Sequence, residues 1–207
     1  MVDAEKIRLF PETLFQDGSN RVYVASFRKI DESAENTKLR QSIVIKEILL
    51  SAIGMPIELH YDNHGKPWLT NSDLGFSLSH SEDFLAIIIS ESHAPGIDTE
   101  SPRPVLEKIV PRLLHHSERA FLENCSNRQM ALQFIWGAKE AVYKSWGKRG
   151  LTFSTDMVLE PFQTSGNDVL KCHFKKDGLH WIYTLQAIAF PGNFLVFTTS
   201  IADQNAV

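Results

Sequence analysis

The spacing of apolar positions changes several times along the chain. Over 21–27 polar and apolar residues alternate, with Val22 and Val24 in step, as in a half-buried strand. Over 35–53, Leu39, Ile43, Ile45, Ile48, Leu49 and Ala52 recur near helical spacing until Gly54 and Pro56 close the run, which predicts a long amphipathic helix. Short strand patterns follow at 57–61, 75–78, 84–90 and 96–100, divided by Gly, Pro, Asn and Ser. Helical spacing returns after Pro102 and Pro104, over 105–114 and 117–123. Asn127 is placed to cap a further helix over 128–146, where Ala131, Leu132, Ile135 and Val142 form an apolar stripe. Beyond Gly147 and Gly150 the strand pattern resumes at 157–159, 169–174, 179–188 and 194–201.

Each half therefore reads as a long helix followed by a few antiparallel strands. The expected fold class is α+β, with two similar lobes at 1–100 and 101–207 and no long low-complexity linker between them. A chain of 207 residues is long enough to bury a real core. A net charge of −4 gives no overall attraction for nucleic acid, so any basic site must be local. The first residues, Met-Val-Asp-Ala-Glu-Lys, carry acids and no apolar segment, so no secretory signal is expected. The longest apolar run, Phe84 to Ile89, is too short to span a bilayer, and no membrane partner is expected. Cys125 and Cys172 form no metal or redox pair, which favours a reducing, cytoplasmic setting.

Several residues can carry chemistry. Gly96-Ile-Asp-Thr-Glu100 puts Asp98 and Glu100 on one face of a strand, because strand side chains alternate. Trp136-Gly-Ala-Lys-Glu140-Ala-Val-Tyr-Lys144 puts Glu140 and Lys144 one helical turn apart. Either pair alone usually marks a solvated face, but apolar Ile97 and Trp136 beside them point to partial burial. Carboxylates gathered in a half-buried place repel, and a divalent cation relieves that repulsion. Mg²⁺ takes few carboxylates and completes its octahedron with water and phosphate oxygens. Ser77-Leu-Ser79-His80-Ser81 can offer hydroxyls, a ring N–H and backbone N–H groups to phosphate, and Lys66 in Gly65-Lys66-Pro67 a fixed positive charge. His60 with His64, and His115 with His116, lack the spacing of a zinc site and read as structural. Phosphate-binding P-loop, dinucleotide and hydrolase-elbow motifs are absent.

In this order and spacing, Gly65-Lys66-Pro67, Phe76-Ser-Leu-Ser-His80-Ser81, Gly96-Ile-Asp-Thr-Glu100 and Trp136-x-x-Lys-Glu140-Ala-x-x-Lys144 resemble the Sfp-type 4'-phosphopantetheinyl transferases. The resemblance covers 65–150 well. It implies two α+β lobes with the active site at their interface. It also implies Mg²⁺-dependent transfer of the phosphopantetheine arm from coenzyme A to a serine of an apo acyl- or peptidyl-carrier protein, releasing 3',5'-ADP. Carried over by position, Asp98, Glu100 and Glu140 would hold the metal. Lys144 and His80 would meet the coenzyme A phosphates, and Lys66 and Ser79 its nucleotide end. Glu140, or Glu118 as an accessory acid, would take the serine proton. Arg40 and Gln41 are the candidates for the 3'-phosphate. Ser77, Thr99 and Gly137 depart from the family pattern without removing a metal ligand. Two other readings stay open: a non-catalytic carrier-binding module of the same fold, and a magnesium phosphohydrolase. A monomer is the expectation, since both lobes lie in one chain.

Overall fold

The structure, a computed structural model, describes residues 12–26, 34–70, 72–81 and 84–204, except the side chains of Glu12, Ser26 and residues 34–40. It is an α+β protein built on two antiparallel sheets. The first sheet contains β1 (Glu12–Gln16), β2 (Asn20–Ser26), β5 (Gly75–His80) and β6 (Phe84–Ser90), in the order β1-β2-β6-β5. The second contains β7 (Ile97–Glu100), β8 (Met157–Leu159), β9 (Asn167–Lys176), β10 (Leu179–Phe190) and β11 (Asn193–Asp203), in the order β7-β11-β10-β9-β8. A two-stranded ribbon of β3 (Leu59–Tyr61) and β4 (Pro67–Leu69) stands apart.

One helix covers the outer face of each sheet. α1 (Ala34–Ile53) sets Val44, Ile45, Ile48 and Leu49 against Tyr23, Ala25, Phe76, Leu85, Ile87 and Ile89 of the first sheet. α4 (Arg128–Trp146) covers the second, where Leu170, Cys172, Phe174, Tyr183 and Leu185 point toward it. The Asn127 side chain accepts from the Met130 N–H at 3.1 Å, and Gly147 ends α4 with φ 71°. The smaller helices α2 (Leu106–Leu113), α3 (His116–Glu123) and α5 (Phe153–Asp156) pack around α4 and the rim of its sheet.

The inner faces of the two sheets meet in a third apolar layer of Val22, Ala86, Ile88, Ile97, Leu195 and Phe197. This explains why Phe84-Leu-Ala-Ile-Ile-Ile shows no polar alternation. Leu85, Ile87 and Ile89 face α1 while Ala86 and Ile88 face the opposite sheet, so both surfaces of β6 are covered. Elsewhere one face stays wet and alternation is clean, as in β9, where buried Leu170, Cys172 and Phe174 interleave with exposed Val169 and Lys171.

Three features go beyond the sequence reading. β1 lies at a sheet edge with only Phe15 packed inward, so it carries no burial pattern to read. The turn at Gly65 is the tip of the β3–β4 ribbon, where Asp62 Oδ1 accepts from the His64 and Lys66 N–H groups. β7, at the end of the first half of the sequence, pairs with β11 in the second sheet. Among the described residues no helix is long and apolar enough to cross a membrane.

Candidate active site

Two glycines decide how closely α4 approaches the second sheet. A Cβ on Gly96 would sit 1.8 Å from the Ala141 carbonyl oxygen, and one on Gly137 would sit 2.8 Å from Val196 Cγ2. Only residues without a Cβ let β7 and β11 lie directly on this helix. Val196 is the cross-strand partner of Asp98, so the same contact brings Asp98 against α4.

Asp98 is 4% exposed. Its Oδ1 accepts from Lys144 Nζ at 2.8 Å and from Ser79 Oγ at 3.1 Å. Lys144 also donates to Ser79 Oγ and to the Ile97 carbonyl, each at 2.9 Å. β5 of the first sheet thus meets β7 and α4 of the second at a single ammonium. Asp98 Oδ2 is buried without a hydrogen-bond partner among the described residues and faces Gly137. Glu100 pairs through Oε2 with Arg103 Nη2 at 2.6 Å. Burial, and then the Asp98 charge, push the Glu100 carboxyl above its ordinary range, with Arg103 opposing. The Trp136 indole N–H beside it is buried without an acceptor among the described residues. Glu140 is pushed furthest, to about 7, first by burial and then by Asp98, with Lys144 opposing and Glu100 adding to the rise.

The structure therefore brings Asp98, Glu100, Glu140, Lys144 and Ser79 into one electrostatic cluster. Its acids present only hard oxygens, one of them buried and unbonded, and this donor set suits a divalent hard cation. Among the described residues no three such side chains are closed into a finished metal cage. Lys144 and Arg103 instead take up oxygens of Asp98 and Glu100.

A cavity of about 210 Å³ opens beside Lys144, walled by Tyr61, Lys66, Ser77, Tyr143, Lys148 and Arg149 among others. Lys66 Nζ donates to the Ser145 carbonyl at 2.9 Å, and burial draws its ammonium below the ordinary lysine range, with Asp62 opposing. His80 stands apart from the cluster. It follows buried Ser79 but is turned out to solvent, without a hydrogen bond to a described residue. Gln41 lines a different cavity of about 510 Å³, with Ser42, Lys46 and Tyr61. The Arg40 side chain lies outside the described residues.

Glu118, expected as an accessory acid, is placed elsewhere. It is 2% exposed and forms the N-terminal box of α3: Oε2 accepts from the His115 N–H and from Lys139 Nζ, each at 2.7 Å, and Oε1 accepts from the Leu159 N–H at 2.8 Å. With these oxygens engaged it is a structural cap. Lys139, the neighbour of Glu140, is fully buried and also donates to the Leu113 and Phe153 carbonyls at 2.8 and 2.9 Å. One ammonium thus ties α2, α3 and α5 to α4 at the residue before Glu140. Sequence reasoning passed over Arg103 and gave Lys139, though part of the Trp136-x-x-Lys-Glu140 motif, no role. The only signal for the first was its position three residues after Glu100, and for the second its place beside Glu140 on an apolar helix.

The profile of the 4'-phosphopantetheinyl transferase superfamily matches residues 94–198, from the crossover before β7 into β11. The chain is 34% identical over 115 residues to the 4'-phosphopantetheinyl transferase AcpT of Salmonella typhi, covering 52% of this chain and 59% of that one. It is 32% identical over 123 residues to AcpT of Escherichia coli O157:H7, covering 56% and 63%, and 30% identical over 115 residues to HetI of Nostoc, covering 50% and 48%. The chain thus spans roughly half to three fifths of the length of the relatives it matches. The matched stretch contains Asp98, Glu100, Glu140 and Lys144, and on that basis the chain belongs to the 4'-phosphopantetheinyl transferase superfamily.

Proposed function

We propose that the protein transfers the 4'-phosphopantetheine group of coenzyme A to a serine of an apo acyl- or peptidyl-carrier protein, with Mg²⁺ as the required ion. The observation that carries this reading is the coupled set of Asp98, Glu100 and Glu140, with the Lys144 ammonium bonded into it. In the reaction the serine oxygen forms a bond to the β-phosphorus of coenzyme A, the bond from that phosphorus to the bridging oxygen breaks, and 3',5'-ADP leaves. The magnesium ion, held by Asp98, Glu100 and Glu140, would neutralise charge on the diphosphate.

The chain's own residues supply the rest. Lys144 and Lys66 line the same cavity, so an ammonium anchored by Asp98, Ser79 and the Ile97 carbonyl stands where a phosphate oxygen can meet it, while Lys66 serves the nucleotide end. Ser79 supports Asp98 and Lys144 together, which makes its role one of positioning. His80, exposed at the end of β5, lies outside the cavity's lining, and a contact with phosphate would need the bound substrate to extend to it. For the serine proton we assign Glu140 rather than Glu118, because Glu140 is partly exposed within the acidic cluster, whereas Glu118 is sealed in bonds.

The test is to incubate the protein with coenzyme A, Mg²⁺ and a panel of apo carrier proteins, and to read intact carrier mass. Addition of one phosphopantetheine, lost when Mg²⁺ is chelated, is expected. Cleavage of coenzyme A with no modified carrier would instead identify a phosphohydrolase, and carrier binding with neither product a binding module.

A further inference from the structure

Arg103 lies in the segment leaving β7, and Glu100 is its sole ion-pair partner among the described residues. The two ends of that pair differ in freedom: the Arg103 side chain is 47% exposed and that of Glu100 15%. Lys144 is different, because Ser79 and the Ile97 carbonyl hold it as well as Asp98. Of the two cations resting on the acidic cluster, Arg103 is the one able to leave.

It also has somewhere to go. Arg103 forms one wall of a cavity of about 280 Å³, bounded by Pro104, Glu107, Gln129, Leu132 and Gln133. Gln133 lies on α4 two turns before Glu140. It is 2% exposed, and its Oε1 is buried without a donor among the described residues. An unmatched buried amide oxygen is costly, so it favours the arrival of a donor. Glu107 on the same cavity wall is already engaged, since Arg128 donates to both its oxygens at 3.0 Å. The open acceptor beside this cavity is therefore Gln133 Oε1, on a residue that forms part of its wall.

We infer that Arg103 is an exchangeable counter-ion, which neutralises Glu100 in the absence of a divalent cation and turns toward Gln133 when such a cation takes Glu100. This rests on the metal reading proposed above. A guanidinium and a divalent ion compete for the same carboxylate oxygens, and both are positive, so one must yield. The exchange makes Arg103 a positioning residue that sets how tightly the cluster takes its ion. Gln133 is the resting place that makes the departure affordable.

Direct calorimetric titration of Mg²⁺ and Mn²⁺ into the full chain, without coenzyme A, tests this with Arg103→Gln, Gln133→Met and the double variant. A partly exposed ion pair is worth up to about 1 kcal/mol, so Arg103→Gln should tighten cation binding about two- to fivefold. Gln133→Met should weaken binding by a similar factor in the native background and have no effect when Arg103 is already Gln. Arg103 is a surface side chain and Met fills the volume of Gln133, so thermal melts of the variants without cation should stay cooperative. Unchanged or weaker binding by Arg103→Gln, or an equal effect of Gln133→Met in both backgrounds, overturns the exchange and leaves the metal reading intact. Failure of every variant, including the native chain, to bind either cation overturns both.

Discussion

Replacing Glu140 by glutamine should stabilise the protein above neutral pH while removing the proposed transfer activity. In the folded chain, burial and then the neighbouring Asp98 charge hold this carboxyl at about 7, against an ordinary value of 4.5 in an unfolded chain. Between these values the folded protein keeps a proton that the unfolded chain has released. Stability therefore falls as pH rises from about 4.5 to about 7, and levels off above that. At 1.36 kcal/mol per pH unit this corresponds to about 3 kcal/mol, and water reaching the partly exposed carboxylate reduces it to about 2 kcal/mol. Glutamine keeps the shape and loses the charge, so it escapes this cost. For a chain of this length, about 2 kcal/mol is about 4–8 °C in melting temperature. Melting both proteins without divalent cation from pH 4 to pH 8 should show no gap at the acid end and a growing one up to pH 7. Adding Mg²⁺ at pH 8 should narrow the gap by stabilising the native protein alone. A difference that stays constant with pH, or a native protein that is the more stable at pH 8, would refute the idea of a repelled, buried acid at this position.

Three further outcomes follow from the packing around the cluster. Lys139→Met leaves Glu118 buried and unpaired, and should cost about 3–5 kcal/mol in urea unfolding, part of which Lys139→Met combined with Glu118→Gln restores. Gly96→Ala drives a methyl group into the Ala141 carbonyl and should cost about 1–3 kcal/mol, read as a lowered melting temperature. Lys144→Met removes a charged donor worth about 1.5–3 kcal/mol, so kcat/KM for coenzyme A in a carrier-modification assay should drop by about tenfold or more.

Some of this was legible in the sequence because the signals were local. α4 matches its expected bounds, since Asn127 and Gly147 mark both ends in the residues themselves. Asp98 and Glu100 share a strand face by alternation alone, and Glu140 and Lys144 share a helical turn. What brings these two pairs together is not local. It depends on the absence of a side chain at Gly96 and Gly137 and on the register of β7 against β11, neither of which a periodic pattern encodes. Glu118 gave an ambiguous signal, because a glutamate three residues into a helix reads the same whether it caps that helix or serves a reaction. Arg103 carries no periodic signal at all, being a basic residue in a proline-flanked exit from a strand.

The layer shared by Val22, Ile88, Leu195 and Phe197 means that neither half owns a finished interior. Severed at the 91–96 crossover, each fragment would carry a bare sheet of valine, leucine, isoleucine and phenylalanine into water. Such pieces would clump when kept apart and knit together when mixed. Each sheet therefore depends on the other to keep its inner face dry.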